Sequence, residues 1–336
     1  MRGRERKQGN FFAEGIYDPI IPKDHFLRRL KVALDWKGMA EQLRDCYRHK
    51  GRPSVPPEVM LKIMILQYLY DVSDRRMEEQ LRYNLAFKFF CGLAADEVGP
   101  DHSTLSRFRG RVGAKRFARL FNMIVEAARE AGLVGDRLHA IDARAVKANV
   151  NTWLLRDRAI EERERGGKPG GFVKYQGPRP RGSPDPDAAF GRKSKNKKFF
   201  GYKHHIAVDA DSGMIVSSAV TPGNEHDGVV MEQVLERRAE AVVADKAYDL
   251  PRCHRLLQRR GIDNRIIRRG GGNQGNNTGR YVVERVNAVV KRWCGGGRAR
   301  YRGLEKVTIQ MLLASMAANV KRWLSLTAEA SLSTPG

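Results

Sequence analysis

Three carboxylates in this chain, Asp142, Asp245 and Glu284, stand where they could do chemistry together. Asp142 lies in 138–148 (LHAIDARAVKA), which reads as a strand. Asp245 follows 241–244 (AVVA), a short apolar run of the kind buried at the centre of a sheet. Glu284 lies in 279–293 (GRYVVERVNAVVKRW), whose period is helical. In-line attack on a phosphodiester needs an activated water or hydroxyl and a stabilised leaving oxygen. Two Mg2+ ions held about 4 Å apart by carboxylates supply both. Mg2+ takes oxygen ligands and keeps several waters, so two aspartates and a glutamate suffice as its protein ligands. Mn2+ can substitute.

Each acid alone has an ordinary reading. On the Glu284 helix, Val282, Val286, Val289, Val290 and Trp293 form one apolar stripe, which predicts a face docked on a core. Arg280, Glu284, Asn287 and Lys291 share the opposite side, where a lone glutamate is usually solvated. Asp142 fits a turn acid at a strand end, and Asp245 an N-cap. The order of elements joins them: strand with Asp142, hairpin, helix, strand ending at Asp245, helix, strand, helix with Glu284. That is the order of an RNase H-like domain, an α/β mixed sheet flanked by helices. An antiparallel hairpin carries the first acid, a parallel neighbour brings the second beside it, and a helix brings the third over the same edge.

The bulk properties point to a polyanionic partner. The chain has 336 residues and a net charge of +24, with a pI near 10.2. That excess of Lys and Arg suits nucleic acid, with a ribosome-like or merely soluble basic protein as the plainer reading. No apolar run reaches transmembrane length, so no membrane role is expected. The opening MRGRERKQGN is basic without an apolar core, unlike a secretory signal. Cys46, Cys91, Cys253 and Cys294 are scattered, with no CxxC pair. A reduced cytoplasmic setting, at the nucleoid, is expected.

The positioning elements fall into two parts. Residues 1–135 read as all-α: short helices over 26–34 and 36–47, a buried helix over 59–70, then 74–82 capped by Ser73, then 85–93. A helix over 102–112 (HSTLSRFRGRV) opens with Ser103 and Thr104 and carries Arg107, Arg109 and Arg111. It fits a helix-turn-helix-like reader of phosphates and base edges, and equally an ordinary capped helix with a solvated basic face. Phe117, Leu120, Phe121, Ile124, Val125 and Ala128 keep helical spacing and predict core up to Gly132. Residues 136–326 form the second part, with hairpin strands over 199–208 and 214–221, a helix from 227 to about 239, a helix over 251–260, a strand over 265–267 and a last helix over 305–325. A basic insertion interrupts it at about 151–197. There 156–165 is charged and helix-like, and 166–197 reads as a mobile loop. Residues 327–336 form a flexible tail.

The chain resembles bacterial insertion-sequence transposases with a DDE catalytic domain, in the group containing families four and five. The likeness runs from about Gly51 to Trp323. GRPSVPPEVMLKIMILQYLYDVSDRRMEEQL and VGPDHSTLSRFR are similar to the group's N-terminal helical, DNA-binding domain. IDAR, GYKHHIAVDADSG, VTPGNEHD, VVADKAYD and the Glu284 helix recur in the group's order. The resemblance implies that Asp142, Asp245 and Glu284 are the catalytic metal ligands. It implies that Arg280 and Lys291, which match the group's signature of tyrosine, arginine, glutamate and lysine, grip DNA near the cut. The signature's tyrosine position is Asn277 here. Lys203 joins Ser103, Thr104, Arg107 and Arg109 as an expected DNA contact. His205, Asn224, His226 and Asp227 match motifs that could support the metal ligands, although packed or turn-forming histidines fit as well. His204 and His205 do not read as a metal pair, since adjacent strand residues point to opposite faces.

Carried over, the function is that of a Mg2+-dependent DNA transposase. It would bind the terminal inverted repeats of its element, cleave there, and join the freed 3′-hydroxyl to target DNA. Ends come in pairs, so a homodimer or higher assembly on double-stranded DNA is expected. Two other readings stay open: another RNase H-like nuclease, and a non-catalytic or repurposed DNA-binding protein.

Overall fold

Pro57 at the first helical turn, followed by Glu58, opens a helix that has no polar face: from Pro57 to Leu69 only Glu58 is not buried. Such a helix must lie at the centre of its unit. The computed structural model describes residues 10–47, 54–152, 183–194, 197–270 and 279–333. It divides into two units. One comprises 1–133, 293–295 and 312–336, and the other 134–292 and 296–311.

The first unit is helical. Its elements are α1 (Asn10–Ile20), α2 (Phe26–Ala33), α3 (Trp36–Glu41), α4 (Pro57–Leu69), α5 (Asp74–Tyr83), α6 (Leu85–Cys91) and α7 (His102–Glu130). Ser73 caps α5 by accepting from the Arg76 amide, as its position predicts. The helix expected at 102–112 and the one expected to end at Gly132 are merged. They run as α7 across a kink at Gly113, whose φ of 71° and ψ of 165° are not helical. The positive φ is one that glycine adopts without a Cβ penalty.

The second unit holds a six-stranded mixed sheet. The strands are β1 (Leu138–Lys147), β2 (Ala189–Ser194), β3 (Lys197–Asp209), β4 (Ile215–Pro222), β5 (Ala241–Ala244) and β6 (Asp263–Ile266). Their order is β2-β3-β1-β5-β6, with β4 also paired to β3. β1 runs antiparallel to β3 and parallel to β5, which is the RNase H-like arrangement expected from the order of elements. The helices are α8 (Asp227–Val234), α9 (Pro251–Arg260), α10 (Arg280–Trp293) and α11 (Leu304–Ser333), the last passing into the first unit after Met311. A core cluster of Val146, Val150, Phe200, Tyr202, Val307 and Met311 packs the β1–β3 ribbon against the start of α11.

Several boundaries move. α8 stops at Val234 rather than near 239, and α11 continues to Ser333, past the expected end at 325 and into the expected tail over 327–336. Residues 189–194, expected inside a mobile loop, form β2 on the edge of β3. The phenylalanines explain this: Phe190 stacks on Phe200 with centroids 4.9 Å apart. The expected helix over 156–165 and most of the loop over 166–197 lie outside the described residues, as does Asn277.

Candidate active site

The site begins with the register of two parallel strands. β5 is buried at all four of its residues, and Ile141 of β1 is the partner of Ala244 of β5. Asp142 and Asp245 are each the next residue. Two acids on neighbouring strands therefore stand at one level of the sheet. Asp245 also caps the 3-10 turn Lys246–Tyr248, accepting from the Ala247 amide at 2.9 Å. The capping role and the placement beside Asp142 coexist, since a carboxylate has two oxygens.

Asp142 is half-buried. Burial raises its carboxyl to about 6, and the charges of Asp245 and Asp227 add to the rise, against the Ala143 amide and Arg280, which lower it. Tyr248 is fully buried, with its hydroxyl lacking a hydrogen-bond partner among the described residues. Burial, then the charges of Asp227, Asp142 and Asp245, raise its hydroxyl well above 10. The same three aspartates thus act on Tyr248.

Helix α10 reaches this neighbourhood through Gly279, at a φ of 92°. A Cβ there would come within 2.8 Å of Leu138 Cδ2 at the start of β1, so the chain can enter the helix close against the strand. The buried face of α10 is Val282, Val283, Val286, Asn287 and Val290. It is rotated from the expected stripe: Val283 and Asn287 are in, Val289 is only half-buried, and Trp293 is 64% exposed. Asn287 was not among the residues expected at the site. It donates Nδ2–H to Asp142 Oδ2 at 2.9 Å. Its grouping with Arg280, Glu284 and Lys291 in the helical pattern was the available signal.

Glu284 lies on the exposed side of α10, with its Oε1 3.3 Å from Arg280 one turn earlier; their side chains are 59% and 37% exposed. Lys291 is exposed two turns later. Among the described residues, no three acid, histidine or cysteine side chains are gathered closely enough to hold one ion. Asp142 and Asp245 are brought together, and Glu284 faces Arg280 instead. The donors nevertheless suit a hard divalent cation. They are carboxylate oxygens, and a cation between them would offset both the burial that chiefly raises Asp142 and the repulsion from Asp245 that adds to it.

The remaining expected residues divide. Asp227 starts α8 and pairs through Oδ1 with Lys203 Nζ at 2.7 Å, and the same ammonium donates to the Glu225 carbonyl at 2.8 Å. Lys203 is only 14% exposed in its side chain, so it is a buttress of Asp227 rather than the surface cation expected for DNA. His226 is the N-cap of α8, its Nδ1 accepting from the Gly228 amide. Asn224 is exposed in the preceding turn. His205 is buried and bonded to Thr221 Oγ1 at 2.8 Å, with burial lowering it to about 3. His204 is held neutral by burial between Ser218 Oγ and the Arg144 guanidinium. The two histidines take separate partners, as their alternation on β3 requires.

In the first unit, Asp101 caps α7, accepting from Ser103 Oγ at 2.8 Å and the Thr104 amide at 2.6 Å. These bonds hold its carboxyl down at about 2. Arg107, 69% exposed in its side chain, donates to Ser103 Oγ at 2.9 Å and Thr104 Oγ1 at 3.2 Å. Arg109 was expected beside them at DNA, and here the expectation is corrected. Its guanidinium is buried in an ion pair with Asp74 and bonds Gln67 Oε1 at 3.3 Å. Two residues along a helix is a rotation of about 200°, which carries Arg109 to the core side.

Comparison with known proteins bears on this geometry. Residues 16–111 match the family model of a transposase domain, DUF772. Residues 136–320, more than half of the chain, match that of the transposase DDE domain. Among solved structures, a piggyBac transposase in a synaptic complex with hairpin DNA aligns over 97% of this chain and 78% of its own. At 10% identity and a TM-score of 0.38 that likeness adds no weight to the assignment. The family match spans both aspartates of the paired strands and the whole of the glutamate helix, and by its extent this chain belongs to the transposase DDE family.

Proposed function

We propose that this transposase cleaves DNA at the ends of its element and joins the released 3′-hydroxyl to target DNA, using Asp142, Asp245 and Glu284 to hold two Mg2+ ions, for which Mn2+ can stand in. The observation that carries the reading is the side-by-side placement of Asp142 and Asp245 after the paired Ile141 and Ala244, in a chain of net charge +24. When bound, the ions would polarise the scissile phosphate and ease ionisation of the attacking hydroxyl. A water oxygen attacks phosphorus and the 3′-oxygen leaves. In the second step that 3′-hydroxyl attacks a target phosphodiester, and another 3′-oxygen leaves.

The chain's own residues orient these steps. Arg280 and Lys291 flank Glu284 on the exposed side of α10, at the spacing of one turn before and about two turns after. From there they can clamp phosphates on either side of the cut. On meeting a phosphate, Arg280 would release Glu284, whose side chain could then turn toward Asp142 and Asp245. Lys203 holds Asp227, and Asp227 adds negative charge beside the aspartates. Ser103, Thr104 and Arg107, in the first two turns of α7, would contact the terminal repeats as part of a helical DNA-binding domain over residues 1–135, with 136–326 as the catalytic domain. Two ends must be handled together, so a dimer or larger assembly on DNA is proposed.

The test is Asp142→Asn and Glu284→Gln on end DNA with Mg2+. Both should lose strand cleavage and keep end binding; cleavage surviving in both would sink the assignment. One observation favours a second reading, a DNA-binding protein without cleavage: Glu284 is paired with Arg280 rather than gathered with the aspartates. Salt-sensitive binding without Mg2+-dependent cleavage by the unmodified chain would select it.

A further inference from the structure

We infer that Asn287 is a positioning residue that aims Asp142 and sets the helix carrying Glu284 against it; the inference rests on the proposed roles of those two acids. Asn287 is 8% exposed and is the one polar side chain on a helix face otherwise made of Val282, Val283, Val286 and Val290. An amide buried among valines is costly unless it is hydrogen-bonded. Its Nδ2 reaches Asp142 Oδ2 at 2.9 Å across 145 residues of sequence. Its Oδ1 is buried with no hydrogen-bond partner among the described residues. A carboxylate only accepts, so the orientation of the amide is dictated by Asp142. The acceptor side of the amide is thus left unpaired on a face otherwise made of valines.

The chemistry of the donor explains the choice. An Arg or Lys at 287 would also bond Asp142, but would neutralise it and compete with a divalent ion for the same charge. An amide holds one carboxylate oxygen in place and leaves the full negative charge available. It restrains the Asp142 carboxylate at one oxygen without neutralising the charge that a ligand would meet. The bond also acts along α10. Glu284 lies three residues before Asn287, one turn away, so the contact that fixes Asp142 also fixes the rotation and height of the helix presenting Glu284. Partners that orient ligands in this way are typically worth about 10–100-fold in metal affinity or activity.

The experiment uses the full chain and Asn287→Leu, which keeps the volume and removes the donor. Mn2+ binding is read without DNA, from the rise in Tm on titration, and cleavage of end DNA is read separately. The expected result is a metal-free Tm equal to or above that of the unmodified protein, with Mn2+ half-saturation about 10–100-fold weaker. Cleavage should fall similarly and recover in part at high Mn2+. A merely structural asparagine would lower the metal-free Tm and leave the Mn2+ half-saturation of the folded protein unchanged. That result would overturn the inference, as would unmodified cleavage. If leucine prevents folding, Asn287→Ala carries the same expectation for Mn2+ half-saturation and cleavage, with a lower metal-free Tm from the lost volume. Asp142→Asn in the same titration separates the two levels. If Asp142→Asn abolishes the Mn2+ response and Asn287→Leu leaves it untouched, only the role of Asn287 fails. If Asp142→Asn responds like the unmodified chain, the metal-ligand reading itself fails.

Discussion

Asp142 and Asp245 stand at the same level of adjacent parallel strands, each one residue past the paired Ile141 and Ala244. Neither position is conditional on a flexible loop at its N-terminal side. The acid on β1 inherits its place from a strand paired on both edges, to β3 and to β5. The acid after β5 inherits its place from four buried residues and a capped 3-10 turn. Backbone register therefore brings the two charges together before any ligand does, and the repulsion between them is built into the fold.

Burial of Asp142, with that repulsion added to it, has a pH signature. The folded-state value of Asp142, about 6, lies above the usual 3.8. Between those two values the folded chain keeps a proton that the unfolded chain has released, so stability falls as pH rises through this window. In chelator, Asp142→Asn should match the unmodified protein near the lower limit. At pH 7.5 it should be more stable by about 1–2 kcal/mol, after allowance for solvent screening. Urea unfolding at the two pH values measures this, and equal stability at pH 7.5 would contradict it. Mg2+ should reverse the ranking by stabilising only the unmodified protein.

Arg107 and Arg109 should separate cleanly. Arg109→Met leaves Asp74 without its buried partner and should cost about 3–5 kcal/mol in unfolding experiments. Arg107→Ala removes an exposed side chain and should change stability by less than about 0.5 kcal/mol. It should instead lower the slope of log affinity for end DNA against log salt by about one. A normal salt slope for Arg107→Ala would remove that arginine from the proposed DNA surface.

Lys203 should behave as a structural cation. Replacing it with Met removes both the Asp227 and the Glu225 contacts and strands Asp227 beside two other acids. A loss of about 1–3 kcal/mol is expected, largely restored in the double variant with Asp227→Asn. Non-restoration in the double-mutant cycle would show that the pair is not coupled.

Arg280 should matter for chemistry far more than for folding. Its pairing with Glu284 is an exposed contact between residues four apart on one helix, worth about 0.3–0.5 kcal/mol. Arg280→Ala should thus leave Tm almost unchanged while slowing cleavage of end DNA by at least about tenfold if it clamps a phosphate. Cleavage at the unmodified rate would assign it to the helix surface alone.

The order of elements, with Asp142 on a strand and Asp245 just after one, could be read from the residues. Period and apolar content are local properties: AVVA reads as a short buried strand, and GRYVVERVNAVVKRW as an amphipathic helix. The family likeness quoted from IDAR and VVADKAYD rested on the same local text. Packing decided the rest, because it depends on partners far away in the chain. Arg109 and Arg107 are alike in the sequence and differ because Asp74, 35 residues earlier, waits on one side of α7 only. α10 buries Val283 and Asn287 and leaves Trp293 exposed, and the acceptor that Asn287 meets lies 145 residues away on β1. A helical period fixes which residues share a side; only the surface it meets determines which side goes in.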